Sequence, residues 1–404
     1  MVPVMRGVRL AVIVAALGYF VDIYDLLLFG IVAKSSLEGI GVPAAQLLHE
    51  KAFLLNVQMV ALLVGGLIWG ALGDKRGRLS VLFGSIILYS LANLANGLVH
   101  TLPEYAVARF FAGIGLAGEL GAGITLVSES LPKESRGYGT TIVATIGILG
   151  AVVGALVAKL TPWRVSYFNG GGLGLMLLLL RVGVLESSVF ERVKKDVSVQ
   201  RGSFFKLFET WPRARRYVCV ILVGVPIWYA VGILVIFAPD LGAAMHMKEL
   251  PNTGTAIMVN YAALAAGDFA SGALSQVLRS RKRALLVFLG ITVAAMAFYF
   301  VFGGRSLGTF YAACAVLGFG TGYWAVFVTV ASEQFGTNIR ATATTTVPNF
   351  VRGSVPILTT SFVALKSHGL VWSAVIVGSV TVAVALVALF GLEETYGKSL
   401  EFVE

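Results

Sequence analysis

Asp22 and Asp25 stand three residues apart inside a long apolar run, a spacing that puts both carboxyls on one face of a helix. Two carboxylates that close compete for charge, and such a pair suits a reversible proton carrier. A second apolar run holds Arg109 and, further along, Glu119. A third holds Arg352, with Asn349 on the same helical face and Pro348 and Pro356 on either side. Arginine keeps its charge and meets a carboxylate or phosphate with paired hydrogen bonds. A buried Arg352 beside a cavity therefore suits an anionic ligand; its other reading is a charge pair with an aspartate of the first run. Glu119 can relay a proton, bind a cation or join the charges at the inner loops. Trp228, Tyr229, Asn260, Tyr261, Tyr323 and Trp324 supply aromatic and amide groups that either line a cavity or pack helices. His49, His100, His246 and His368 fall near run ends or in loops, which leaves proton work to carboxylates.

The elements that must hold these groups are apolar throughout. Of 404 residues, 57% are hydrophobic and 13% charged, against about 25% charged in soluble proteins. Mean hydropathy is +0.85. Runs near 8–32, 53–72, 79–100, 104–127, 138–158, 165–184, 217–238, 254–278, 284–303, 308–332, 341–365 and 370–391 predict twelve membrane-spanning helices. Only helices satisfy their own backbone in lipid, so the expected fold is an all-α membrane protein. An ionisable residue inside such a run costs about 2.5–3.5 kcal/mol on insertion scales, which makes each one a functional candidate. The first run is too long for a cleavable signal peptide and carries two aspartates.

Basic residues crowd alternate loops. Arg6, Arg9, Lys75, Arg76, Arg78, Lys133, Arg136, residues 192–216 and 279–283, Arg340 and Lys398 fall on one side. Lys34, Lys51, Lys159, Arg164, Lys248, Arg305 and Lys366 fall on the other. The positive-inside rule then places both termini in the cytoplasm. The formal charge of +10 reflects this topology, not nucleic-acid binding. Cys219 and Cys314 lie in different runs and mark no disulfide or metal framework. The longest inner connection, 186–216, separates six spans in 1–185 from six in 217–404.

Gly70-Ala-Leu-Gly-Asp74-Lys-Arg76-Gly77-Arg78 forms a charged turn after the second run. A degenerate copy, Gly267-Asp268 through Arg279–Arg283, follows the eighth. Gly73 and Gly77 permit the turn, and Asp74 near a helix start gains about 0.3–1 kcal/mol. The turn resembles the G-x-x-x-D-R/K-x-G-R/K loop signature of the major facilitator superfamily, whose six-span halves repeat in parallel. Arg109 to Gly115, Glu129 with Arg136-Gly137, Trp163-Arg164, Leu185 to Ser188 and Glu394 to Lys398 resemble, in order, further signatures of its sugar-porter-like branch. Asp22-Ile-Tyr-Asp25 is similar to the D-G-x-D motif of its aromatic-acid:proton symporters, with Ile23 in place of glycine.

The resemblance implies twelve helices in two six-helix pseudo-symmetric bundles. It also implies a cytoplasmic latch built from the turn with Glu129, Arg136, Asp268, Glu333 and Arg340, and an Asp25–Arg109 pair that proton binding would release. The sugar-binding Q-Q-x-x-G of span seven is absent, since the region reads Val225-Pro-Ile-Trp228-Tyr229. The expectation is therefore a proton-coupled symporter of a small organic anion, in a bacterial inner membrane, monomeric, with no cofactor and no enzyme activity. A proton-driven drug or cation exporter is the alternative. A divalent-metal carrier using Asp22, Asp25 and Glu119, or a sugar carrier, fits less well.

Overall fold

A computed structural model describes residues 2–180 and 203–403, with side chains described except at 2–11, 45, 48, 49, 52, 133 and 134. The side chains of Arg6, Arg9, His49 and Lys133, and the stretch carrying Leu185–Ser188, Arg192, Lys194, Lys195 and Arg201, lie outside the described residues.

Among the described residues all regular structure is helical. In chain order the first helices are α1 (Val2–Gly39), α2 (Leu47–Arg76), α3 (Arg78–Leu98), α4 (Leu102–Leu116) and α5 (Glu119–Ser130). Next come α6 (Lys133–Ile148), α7 (Gly150–Leu160), α8 (Trp163–Leu180), α9 (Trp211–Tyr229), α10 (Ala238–Ala244) and α11 (Thr253–Val277). The last are α12 (Arg281–Phe302), α13 (Leu307–Thr321), α14 (Trp324–Glu333), α15 (Arg340–Arg352), α16 (Val355–Ala364) and α17 (Leu370–Phe390). Ten helical stretches among the described residues are long and apolar enough to cross a membrane. Their outward faces keep large apolar side chains exposed, among them Leu160, Val277, Val387 and Phe390. A bilayer tolerates that surface where water would not.

Several predicted runs are interrupted, and the interruptions carry the interesting residues. The fourth run breaks at Ala117–Gly118 between α4 and α5, which leaves Glu119 as the first residue of α5. The tenth breaks at Gly322–Tyr323, so α14 starts with a fresh set of unpaired amides at Trp324. The eleventh breaks at Gly353–Ser354, ahead of Pro356, which cannot continue the hydrogen-bond ladder. A π-type turn over Ala230–Val235 follows Pro226 in the seventh run. Helices early in the chain meet later ones along two seams, α2 against α15 and α6 against α11. Gly70 makes the first seam possible: a Cβ there would come within 2.9 Å of the Thr342 backbone.

Candidate functional site

Arg352 is the last residue of α15, where a cation is favoured by the helix's exposed carbonyls. Asp22 lies deep in α1, and both side chains are buried. Nη2 of Arg352 stands 3.7 Å from Oδ2 of Asp22. That is an ion pair too long to be a hydrogen bond. Among the described residues neither Asp22 oxygen, nor Nε or Nη2 of Arg352, has a hydrogen-bond partner. The rings of Trp228 and Trp324 flank the guanidinium at 5.9 and 5.8 Å, within cation–π range. With Tyr19, Ile23 and Tyr261 they enclose about 20 Å³. That space suits about one water, far below the roughly 300–1,000 Å³ of a small-molecule site. The centre is closed in this conformation.

One turn along α1, Asp25 is also buried, with Asn93 beside it. Gly170 of α8 presses against it, leaving no room for a Cβ. Neither Asp25 oxygen has a hydrogen-bond partner among the described residues. The expected Asp25–Arg109 ion pair is not formed. Arg109 donates instead to Oε1 of Gln58 and lies over the Phe29 ring at 4.7 Å. The close packing of α2 on α4 explains this, because it offers the guanidinium an amide oxygen before it can reach α1's carboxylate. Glu119 is buried within electrostatic reach of Asp22.

The other expected cavity residues divide. Trp228, Tyr261 and Trp324 face the central space. Tyr229 donates to the Ala374 carbonyl at 2.5 Å, Tyr323 to Val223 at 3.0 Å and Asn260 to Cys314 at 3.0 Å. Asn349 donates to the carbonyls of Ala117 and Thr345 at 2.9 and 2.8 Å. These donors tie helices together or brace their own helix, because a buried polar group takes a nearby carbonyl where one is offered, while Oδ1 of Asn260 and of Asn349 has no hydrogen-bond partner among the described residues.

A second cluster lies at the far end of α2. Asp74 accepts from the backbone amides of Ala341 at 3.0 Å and Thr342 at 2.8 Å, and from the Thr342 hydroxyl at 2.7 Å. It thus caps α15 from another helix, filling the unpaired amides of that helix's first turn. Gly77 closes α2 at φ +103°, a conformation that strains any side-chain-bearing residue. Beyond it Arg78 reaches Glu129 at 2.8 Å, and Arg340 reaches the same oxygen at 2.7 Å. Glu333 receives Arg281 at 3.2 Å and Arg136 at 3.7 Å. Each glutamate is bridged by one arginine from its own half of the sequence and one from the other. Nε of Arg136 donates to the Ser128 carbonyl and Nε of Arg340 to that of Ser332, while the two serine hydroxyls meet at 2.8 Å. Ser128 and Ser332 are 204 residues apart, as are Glu129 and Glu333, and Arg136 and Arg340. The network therefore repeats internally.

That repeat corrects the register of the second turn. Gln276 lies against Gly137 of α6, where a Cβ would meet its Nε2, just as Asp74 lies against Ala341, 204 residues after Gly137, and accepts from its amide. Gln276, not Asp268, thus stands in the place of Asp74. Asp268 lies deeper, on the α11 face that carries Tyr261 and Leu264, where its Oδ1 accepts from the Ala325 amide at 2.8 Å. It caps the broken start of α14 and lies outside the arginine–glutamate network. Arg76 is exposed and also stands apart from it.

The chain's last described residues lie across this network. Arg136 donates to the Lys398 carbonyl at 3.2 Å, Arg340 to that of Leu400 at 2.7 Å, and Thr395 to Glu333 at 2.8 Å. Burial pushes the Glu394 carboxyl up, but donation from Ser280 and from the amides of Tyr396, Arg281 and Lys282 outweighs it and leaves the group below its ordinary value. Sequence reading missed Tyr19, Gln58, Gly170 and Gln276. It also took Arg281 only as a topology charge, although its spacing from Glu333 matches that of Arg78 from Glu129 within a residue.

A cavity of about 740 Å³ opens near the start of α2, the end opposite Asp74. At 1.5 Å per residue, the rise along α2 from Lys51 to Asp74 sets the two about 35 Å apart.

Residues 15–360 match the Major Facilitator Superfamily. The chain is 26% identical to a putative metabolite transport protein of Haemophilus influenzae, over 97% of each. It is 27% identical to the 3-(3-hydroxy-phenyl)propionate transporter of Escherichia coli, over 72% of each. The crystal structure of the human organic anion transporter MFSD10 superposes with a TM-score of 0.73 at 15% identity, covering 96% of this chain and 99% of that one. Apolar spanning helices, an internally repeated charge network and a family match across most of the sequence agree: this chain is a multi-pass membrane transporter, not an enzyme, and belongs to the major facilitator superfamily.

Proposed function

We propose that this transporter carries a small organic carboxylate together with a proton, by alternating access. The observation that carries this reading is the buried Asp22–Arg352 pair, held at ion-pair distance with most of its hydrogen-bonding capacity unused. A permanent structural pair would be expected to close into bidentate contact. A looser pair leaves the arginine able to exchange its aspartate for a substrate carboxylate once the aspartate is protonated. Asp25, beside it and likewise with no hydrogen-bond partner among the described residues, then serves as the second proton site, and Glu119 tunes the pair from α5. The similarity to the 3-(3-hydroxy-phenyl)propionate transporter of Escherichia coli supports an organic-acid cargo.

In this reading α8 and the broken α15–α16 segment complete twelve spans. Two six-helix bundles, 1–185 and 217–404, joined by 186–216, rock about the centre as a monomer. Both termini and the arginine–glutamate network face the cytoplasm of a bacterium, so the conformation described here is closed inside.

The test is transport by the full chain in proteoliposomes. Asp25→Asn should retain substrate binding and exchange down a gradient while losing accumulation against one. Concentrative uptake by Asp25→Asn at the wild-type level would remove the coupling role. Transport unchanged by Arg352→Gln would remove the anion site.

A further inference from the structure

Lysines are disfavoured on the outer side of a membrane protein, yet three of those assigned there by sequence converge on one space. Lys34 of α1, Lys51 of α2 and Lys159 of α7 all line the 740 Å³ end cavity, and among the described residues no carboxylate lines it with them. Asn252, Thr253 and Thr255 supply polar groups on the facing wall. Glu38 touches Lys34 at 4.0 Å, a pair whose side chains are largely exposed. Asp240 acts on Lys51 from outside the lining. Neither belongs to the cavity wall, so the interior is cationic. Like charges gathered in one concavity repel, and an anion placed among them relieves that repulsion.

The cavity is also of the right size and in the right place. It falls within the roughly 300–1,000 Å³ of small-molecule sites, whereas the centre does not. Met258 on its wall is one helical turn from Tyr261 of the centre, and Ile31 is about two turns along α1 from Ile23.

We propose that Lys34, Lys51 and Lys159 form an anion-capture site, which binds a carboxylate substrate before it passes to Arg352. The inference rests on the organic-anion reading above but concerns a separate place and a separate step. Burial draws the Lys51 ammonium below the ordinary lysine value, and Asp240 offsets this in part. A captured carboxylate would supply the missing counter-charge directly. Clefts of one sign raise association rates by about 10–1,000-fold, an effect that falls with ionic strength. The site therefore acts mainly at limiting substrate and low salt.

Benzoate is the probe and benzamide its uncharged control, with binding to the purified full chain read by saturation-transfer NMR in nanodiscs. Benzoate should bind the wild type and should lose at least fivefold in affinity in Lys51→Gln/Lys159→Gln; benzamide should be indifferent to the lysines. In proteoliposomes the lysine variant should lower kcat/KM for a transported carboxylate about tenfold at low salt, with a smaller loss at high salt and in the saturating rate. Benzoate affinity untouched by the lysine variant overturns the proposal, as does an equal loss for benzamide. Benzoate binding that vanishes when phosphatidylglycerol replaces phosphatidylcholine also overturns it, because the lysines would then hold lipid phosphate. Failure of the Arg352 assignment reads differently: Arg352→Gln would transport normally while the lysine variant still lost its salt-dependent capture.

Discussion

Two buried sets of charges in this molecule are built to opposite standards. At the end of α2, Glu129 takes Arg78 and Arg340 at 2.8 and 2.7 Å, and Asp74 accepts three hydrogen bonds across the α2–α15 seam. At the centre, Asp22 takes a single arginine at 3.7 Å and accepts no hydrogen bond among the described residues. Burying a charge is costly unless it is paired and hydrogen-bonded. The network meets most of that requirement within the protein, since each of its glutamates takes two arginines, so it favours the arrangement seen here. The central pair leaves it partly unmet, which suits groups whose partners are to arrive as proton and substrate.

The largest expected effect tests the well-paired end. Glu129→Gln removes the anion between two buried arginines, and breaking a buried pair costs about 3–5 kcal/mol. The closed arrangement should give way, with Ser332→Cys, in a background lacking Cys219 and Cys314, changing from protected to reactive toward a thiol reagent. Continued protection would mean that packing, not charge, holds the seam.

Next comes the centre, where Arg352→Gln should lower uptake about 100-fold, equivalent to about 2.7 kcal/mol, with the Ser332 probe still protected. If both readouts moved together, the two sets would act as one unit and the contrast between them would dissolve.

A smaller effect is expected beside Asp25. Gly170→Ala inserts a methyl group where no space exists, and overpacking costs about 1–3 kcal/mol. Thermal stability should fall by that amount, with coupling altered more than by the same change at Gly172, which has open space around it. Equal effects at both glycines would show that Asp25 has room to move.

The smallest concerns Glu394. Its folded value is depressed, so its contribution is present above the ordinary glutamate range and is lost as pH falls through the lower folded value. Protection of the tail from proteolysis should therefore weaken in acid, and Glu394→Gln should remove that pH dependence. A tail released equally at all pH values in the wild type would contradict this.

Much of the arginine–glutamate network was legible because it follows local rules. Gly77 at a positive φ, basic loops on one side and an acid near a helix start are short-range demands that leave marks in the chain. The second turn misled because the eye aligned Gly267-Asp268 with the first, while the three-dimensional repeat aligns Gln276 with Asp74. A glutamine in the aspartate's place erased the written signal. At the centre the sequence flagged Asp22, Asp25 and Arg352 by their presence in apolar runs, but gave no means of choosing their partners.

The sequence by itself determined the all-helical membrane fold and its functional charges, because lipid leaves few ways to bury a backbone and makes every ion conspicuous. Only the tertiary structure decided that Arg109 turns to Gln58, that Arg352 turns to Asp22, and that Tyr229, Tyr323, Asn260 and Asn349 donate to carbonyls. Those choices depend on how two helices distant in sequence approach each other, to within a few tenths of an ångström. Periodicity along one chain carries no record of that distance.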